Sequence, residues 1–278
     1  MEYSGLKFTK MHGLGNDFVV IDTINQSFDP VPEVIRQLAD RHRGIGCDQL
    51  LLVAPSSHDS ADFRYRIFNA NGEEVEQCGN GARCFARFVI DHGLSSGPEI
   101  RVDTLGGLMR LRIQSDDQVC VDMGQPLFEP AGIPFNAPER RSLYELEVGG
   151  TVYEVGAVSL GNPHAVLRVD NIDTVPVDTL GAAIEMHERF PRHVNVGFMQ
   201  IISPGHIRLR VYERGVGETQ ACGSGACAAV AIGQDNGWLN ERVAVDLTGG
   251  RLMITWEGEG QSLRMTGPVT TVYEGRVV

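Results

Sequence analysis

Lysine is almost missing from this chain of 278 residues. Of its 24 basic residues 22 are arginine, and Lys7 and Lys10 are the only lysines. A pyridoxal enzyme needs a lysine for its Schiff base. Here that lysine would have to sit at the very start of the sequence, which argues against pyridoxal chemistry. Basic excess is missing too. The formal net charge is -12, which argues against a nucleic-acid partner or an anionic membrane surface, because both need a basic patch. No apolar run approaches the ~20 residues needed to span a bilayer. None of the six cysteines forms a C-x-x-C pair and no histidines cluster at metal spacing, so no metal site and no cofactor are expected. The sequence opens without a charged-then-apolar leader. The expectation is a cytoplasmic protein with reduced thiols. What remains is an ordinary globular composition, 42% hydrophobic and 22% charged, long enough at ~150 residues per domain for two domains.

The chain repeats itself. Gln77-Cys78-Gly79-Asn80-Gly81-Ala82 matches Ala221-Cys222-Gly223-Ser224-Gly225-Ala226, with the two cysteines 144 positions apart. At the same offset Phe68-Asn69 matches Tyr212-Glu213, and Asp91-His92-Gly93 matches Asp235-Asn236-Gly237. At nearby offsets Leu14-Gly15-Asn16 matches Leu160-Gly161-Asn162, and Gly106-Gly107 matches Gly249-Gly250. Blocks kept in order at nearly constant spacing indicate an internal duplication. The boundary is expected between Asp122 and Pro130, where Gly124, Pro126 and Pro130 suit a linker. The expected domains are 1–123, completed by 268–278, and 124–267.

Each half has the same local grammar. Runs rich in β-branched and aromatic residues, such as Phe18 to Asp22, Leu50 to Val53 and Phe63 to Phe68, predict strands. In the second half Ala165 to Val169, Val194 to Ile202 and Ile207 to Tyr212 correspond to them. A Gly-rich turn carrying a cysteine follows, then a helix predicted from Asn80 to His92 and from Ser224 to Asn236, with Gly93 and Gly237 as C-caps. The second helix is apolar on most sides, which predicts burial. More strands follow each helix. The expected fold is α+β: two similar domains related by duplication, each a curled, mostly antiparallel, barrel-like sheet around a central helix, with the active site in the cleft between domains.

Cys78 and Cys222 each open a predicted helix and are flanked by glycines. Free N–H groups and the positive end of the helix dipole bind a carboxylate and favour a thiolate. A substrate α-carbon held between two such thiols can lose its proton to one sulfur and regain it on the opposite face from the other. This inverts the centre without a cofactor. A lone cysteine is more often a small buried hydrophobe than a catalyst. That reading is taken for Cys84 and Cys227 within the helices, for Cys120 in a strand, and for Cys47.

The sequence also resembles the diaminopimelate epimerase family. The resemblance rests on six ordered blocks: Phe8 to Phe18, Arg43 to Gln49, Phe68 to Gly72, Glu76 to Cys84, Gly161 to His164, and Tyr212-Glu213-Arg214-Gly215 running into Ala221 to Gly225. It implies interconversion of LL- and meso-2,6-diaminoheptanedioate, in the route to lysine and peptidoglycan precursors, with Cys78 and Cys222 as acid and base. It implies that Asn16, Gln49, Asn69, Gly79, Asn80, Asn162, Asn195, Glu213, Arg214, Gly223 and Ser224 bind the substrate. His164 and Glu213 would support the thiol pair electrostatically. It further suggests a homodimer. The chemistry suits a substrate charged at both ends. Arg214 can take the distal carboxylate through two parallel hydrogen bonds, and Glu213 can accept from an ammonium group. Asn71 stands where the family usually has Asp.

Two other functions compete. A proline racemase or hydroxyproline epimerase also uses paired cysteines in such turns, but Glu213, Arg214 and Asn195 suit a second charged end that proline lacks. A binding protein of a different class would keep Cys78 and Cys222 as a redox switch, closing a disulfide on oxidation.

Overall fold

The fold is seen in a computed structural model that describes residues 3–76 and 78–278. Gln77, which opens the first repeated turn, lies outside the described residues. The chain divides into two compact units: residues up to Val121 together with Gly267–Val278, and Asp122–Thr266.

The elements run in chain order as β1 (Lys7–Gly13), β2 (Asn16–Asp22), α1 (Pro32–Ala39), β3 (Gln49–Pro55), β4 (Phe63–Asn69), β5 (Glu74–Val75), α2 (Gly79–Asp91), β6 (Glu99–Thr104), β7 (Gly107–Ile113) and β8 (Val119–Asp122). Then follow β9 (Tyr144–Val148), β10 (Thr151–Ser159), β11 (Pro163–Arg168), α3 (Val177–Glu185), β12 (Asn195–Ser203), β13 (His206–Glu213), β14 (Gly217–Thr219), α4 (Gly223–Asp235), β15 (Arg242–Leu247), β16 (Gly250–Thr255), β17 (Arg264–Gly267) and β18 (Thr270–Arg276).

In the first unit the strands lie in the order β18, β1, β2, β3, β4, β6, β7, β8, with β5 added on β4. In the second unit β9, β10, β11, β12, β13, β15, β16 and β17 follow the same order, with β14 on β13. Most pairings are antiparallel. Two per unit are parallel: β2 with β3 and β4 with β6, then β11 with β12 and β13 with β15. A parallel pair needs a crossover connection. The helices supply it, α1 and α2 in the first unit and α3 and α4 in the second. The duplicated α+β architecture read from the sequence is therefore the observed one, with sheets that curl about a central helix and stay open.

Burial explains the strand sequences. In β2, Phe18, Val19, Val20 and Ile21 are all buried, and so are Leu50, Leu51, Leu52 and Val53 in β3. Such continuous apolar runs mark strands covered on both faces. Val19, Ile21, Leu50 and Leu52 pack in one cluster with Val34, Ile35, Leu38 and Ala39 of α1. Phe18 and Ile67 face the other way, against Gly81 at the start of α2. α2 and α4 are buried along nearly their whole length. Each starts at a cysteine in extended conformation and stops before a left-handed glycine, Gly93 (φ 66°) or Gly237 (φ 71°). Bonds from Leu94 N to Val89 O (2.9 Å) and Trp238 N to Gly233 O (2.8 Å) close the two ends.

Candidate active site

Strand direction gathers the polar residues of the first unit. β2 and β3 begin at Asn16 and Gln49, while antiparallel β4 ends at Asn69. All three therefore lie at one end of the sheet. Gln49 and Asn69 are register partners, and Gln49 Nε2 donates to Asn69 Oδ1 at 2.9 Å. Cys78 is the N-cap of α2 (φ -142°, ψ 121°), and the first helical bond runs from Ala82 N to Cys78 O at 2.8 Å. The N–H groups of Gly79, Asn80 and Gly81 fall in the first turn, where no helical carbonyl is available to them. The Cys78 thiol donates to Asn16 Oδ1 at 3.7 Å, and Asn80 Nδ2 donates to the same oxygen at 3.2 Å. From below, Tyr65 Oη donates to Cys78 O at 3.1 Å. A Cβ on Gly81 would lie 2.6 Å from that hydroxyl, so the turn closes only on glycine.

The second unit repeats the arrangement with different side chains. Cys222 is the N-cap of α4 and is buried. Asn195 opens β12, Glu213 ends β13, and Asn162 lies in the turn between β10 and β11. Asn195 Nδ2 donates to Pro163 O at 3.0 Å, while its Oδ1 accepts from Arg214 N at 3.0 Å. The Arg214 side chain donates to Arg192 O at 3.2 Å, which leaves several of its five donors for a ligand. His164 Nε2 and Asn162 Oδ1 are 3.0 Å apart, Asn162 Nδ2 donates to Ser224 Oγ at 3.3 Å, and Ser224 Oγ lies 3.7 Å from Cys222 Sγ. Thr219 Oγ1 donates to the Glu213 carboxylate.

Burial governs the titration of these groups. It pushes the Cys222 thiol well above its ordinary value, and the neighbouring Glu213 carboxylate adds to the shift. Burial, followed by the positive charge of Arg214, lowers His164 to about 3. The imidazole is therefore neutral, and its Nε2 carries the proton that Asn162 Oδ1 accepts. The other cysteines fit structural roles. Cys84 and Cys227 are fully buried within the central helices, and burial raises Cys47 to about 12. No disulfide joins any of the six cysteines. His12 lies near the end of β1, where Gly15 N donates to its Nδ1 at 3.4 Å, and Asn71 is a turn residue whose Oδ1 accepts from Glu73 N at 3.0 Å.

The sequence model of diaminopimelate epimerase matches the chain twice, over residues 8–129 and 156–272. The chain belongs to the diaminopimelate epimerase family. It is 60% identical over 274 residues to the curated diaminopimelate epimerase of Alkalilimnicola ehrlichii, with 98% of each chain covered. It is 62% identical to that of Thioalkalivibrio sulfidiphilus, covering 98% of this chain and 99% of the relative. Among solved structures it is similar in fold to a probable proline racemase from Agrobacterium radiobacter, at TM-score 0.73 and 16% identity, over 98% of this chain and 93% of the other. A hydroxyproline epimerase from Agrobacterium vitis aligns at TM-score 0.70 and 16% identity, over 98% and 92% of the two chains. As a member of the diaminopimelate epimerase family the chain is an isomerase, an amino-acid epimerase.

Among the described residues, no group of His, Cys, Asp and Glu is arranged to hold a metal ion. No helix among them is long and apolar enough to cross a membrane. The structure also adds residues around Cys78 that sequence reasoning did not single out. Asp48 accepts from Asn16 Nδ2 (3.0 Å) and from Asp17 N (3.1 Å). Arg41 bridges Asp48 and Asp17 at 2.7 and 2.6 Å. The buried Lys10 pairs with Asp17, and the buried Arg83 donates to Asn80 Oδ1 at 2.9 Å. One signal for them was available: an Asp directly before the apolar run of β2 and an Arg amid the apolar residues of α2 are charges that burial permits only when paired.

Proposed function

We propose that the chain interconverts LL- and meso-2,6-diaminoheptanedioate without a cofactor, using Cys78 and Cys222 as acid and base on opposite faces of one α-carbon. The observation that carries this reading is the equivalence of the two thiols. Each is the N-cap of a buried 13-residue helix, each follows the same run of strands, and each sits beside an asparagine or serine that can bond its sulfur. Inversion needs two groups of matched chemistry on opposite faces, because the forward and reverse reactions exchange their roles.

In this reading one thiolate takes the α-proton while the other thiol returns one. The first-turn N–H groups of α2 and α4 hold the α-carboxylate and stabilise the charge that develops on it. Arg214 takes the distal carboxylate, and the distal ammonium is left to Glu213 and the amides of Asn16, Asn69, Asn162 and Asn195. Gln49, Gly79, Asn80, Gly223 and Ser224 complete the contacts. Neutral His164 holds the Asn162 amide. Glu213 lies close enough to Cys222 to add to the upward shift that burial imposes on its pKa. The working form is a cytoplasmic homodimer serving lysine and peptidoglycan-precursor synthesis. Support for the dimer comes from the family resemblance and from the exposed Val272 and Tyr273 on β18, a strand that pairs with β1. Sedimentation at micromolar concentration tests it.

The test of the chemistry is direct. Cys78→Ser and Cys222→Ser each abolish epimerisation of the LL substrate, and proline is not turned over. In D₂O the inverting α-carbon gains deuterium and the distal one does not. Retained epimerisation in either serine variant ends the two-thiol reading; equal labelling of both carbons ends the assignment of Arg214 and the asparagines to the distal end.

A further inference from the structure

The amides beside Cys78 form a chain with a defined direction. At one end is a buried cation, Arg83, which donates to Asn80 Oδ1 at 2.9 Å. That bond turns Asn80 Nδ2 outward to donate to Asn16 Oδ1 at 3.2 Å. Asn16 in turn donates from Nδ2 to Asp48 Oδ2 at 3.0 Å. A guanidinium only donates and a carboxylate only accepts. The two charged ends therefore allow each asparagine one orientation. Flipping Asn16 would set its NH₂ against that of Asn80 and its carbonyl against the Asp48 carboxylate. In the allowed orientation Asn16 Oδ1, an acceptor, faces the Cys78 thiol at 3.7 Å.

We propose that Asp48 is a positioning residue for Cys78: by accepting from Asn16 Nδ2 it keeps the amide carbonyl toward the sulfur and holds that sulfur as the protonated partner, the proton donor of the resting enzyme. The proposal rests on the assignment of Cys78 as one of the two acid/base groups and deepens it by naming its resting state. The second unit shows the contrast. The equivalent amide of Asn162 accepts from His164 and turns its NH₂ to Ser224 Oγ, and that hydroxyl stands between the amide and Cys222 Sγ. There the hydroxyl, with its oxygen already accepting, has its own proton to give to the sulfur. A hydrogen bond to the neutral form holds a group neutral, and one to the charged form favours ionisation. The duplicated turns thus present an acceptor to Cys78 and a donor to Cys222. Arg41 joins Asp48 to Asp17 and keeps the carboxylate in place.

The test reads the thiol itself. Full-length wild-type protein, Asp48→Ala and Asp48→Asn are treated with iodoacetamide at pH 7, and modification of the Cys78 peptide is timed by mass spectrometry. Only the thiolate reacts. In D48A the Asn16 amide is released, the acceptor is lost, and the Cys78 rate rises about fivefold, the worth of one hydrogen bond. In D48N an oxygen still accepts from Asn16, and the rate stays within about twofold of wild type. An unchanged rate in D48A overturns the proposal. Equal rises in D48A and D48N also overturn it, because charge alone would then be responsible. Buried Cys47, Cys84 and Cys227 stay unmodified in folded protein and report on folding. If D48A does not fold, wild-type protein labelled with ¹⁵N and ¹³C decides by NMR. A coupling across the hydrogen bond from the Asn16 side-chain nitrogen to the Asp48 carboxyl carbon supports the orientation, and its absence refutes it. These outcomes are independent of whether Cys78→Ser loses epimerisation, so failure here and failure of the two-thiol mechanism can be told apart.

Discussion

Gly81→Ala isolates the physical demand made by the cysteine turn. Helix propensity alone says the change should help, since alanine is better than glycine within a helix by about 1 kcal/mol. The surroundings say otherwise. The new Cβ would lie 2.6 Å from Tyr65 Oη, 3.2 Å from Phe18 Cε1 and 3.3 Å from Ile67 Cδ1, and all three of these residues are buried. Overpacking a well-filled core costs about 1–3 kcal/mol. Displacing Tyr65 also breaks its hydrogen bond to Cys78 O, worth about 1 kcal/mol. Offsetting the propensity gain against that bond leaves a net destabilisation of about 1–3 kcal/mol. The assay is thermal unfolding by calorimetry, with a fall in Tm on the order of 2–4 °C per kcal/mol for a protein of this size. Because Tyr65 supports the carbonyl of Cys78 itself, kcat should fall as well, in a variant that still folds. A Tm at or above that of the wild type, with kcat unchanged, would show that the turn has room and that this close-approach argument is wrong.

Three further outcomes follow from the same structure. Asp17→Asn leaves the buried Lys10 without its carboxylate, and the urea midpoint should fall by the equivalent of about 3 kcal/mol; a loss under about 1 kcal/mol would mean that the pair behaves as an exposed one. His164 carries the opposite kind of charge effect. Its pKa drops from an ordinary 6.5 to about 3 on folding, so between these values the unfolded chain binds a proton that the folded one refuses. Stability should therefore decline as pH falls below about 6.5, and His164→Gln should remove that part of the decline in unfolding experiments from pH 7 to 5; an unaltered acid limb would argue against a buried neutral imidazole. Finally, Arg214→Lys keeps the charge and loses the two-pronged grip, and KM should rise about tenfold with a smaller change in kcat. An unchanged KM would remove Arg214 from the distal carboxylate.

How much of this was legible in the residues depends on where each signal is stored. The two central helices could be placed to within one residue, at 80–92 and 224–236 against the observed Gly79–Asp91 and Gly223–Asp235, because both ends are written locally in glycines. The strands buried on both faces were legible for a similar reason, as unbroken apolar runs. The outer helices were not. α1 has only 8 residues, and its stripe of Val34, Ile35, Leu38 and Ala39 is two turns long. α3 carries Gly181 in its middle, which weakens a helical reading. The structure shows that a Cβ there would meet the Tyr212 ring at 2.6 Å, so the glycine is demanded by packing against β13. Strands β1, β9, β10 and β18 are not among the predicted strands either, although the Val, Thr and Tyr residues of β9, β10 and β18 do carry a strand signal.

The site divides along the same line. Cys78 and Cys222 stand out because a duplicated motif can be seen without any structure. The direction in which an amide points cannot be seen that way. It depends on Asn16, Asp48, Asn80 and Arg83 meeting in space, and on a donor-only group and an acceptor-only group closing the chain at its two ends. Duplication made the two thiols alike in backbone, and the substitution of a few polar neighbours then made them unlike in chemistry. Asn80 of the first turn corresponds to Ser224 of the second, and that difference, with Asp48 orienting Asn16 and His164 orienting Asn162, changes what each sulfur faces. An enzyme that must begin each turnover with one thiol charged and the other not gains from such a difference. Two identical sites would leave the proton to choose between them at random, and half of the free enzyme would meet substrate with its acid and base on the wrong sides.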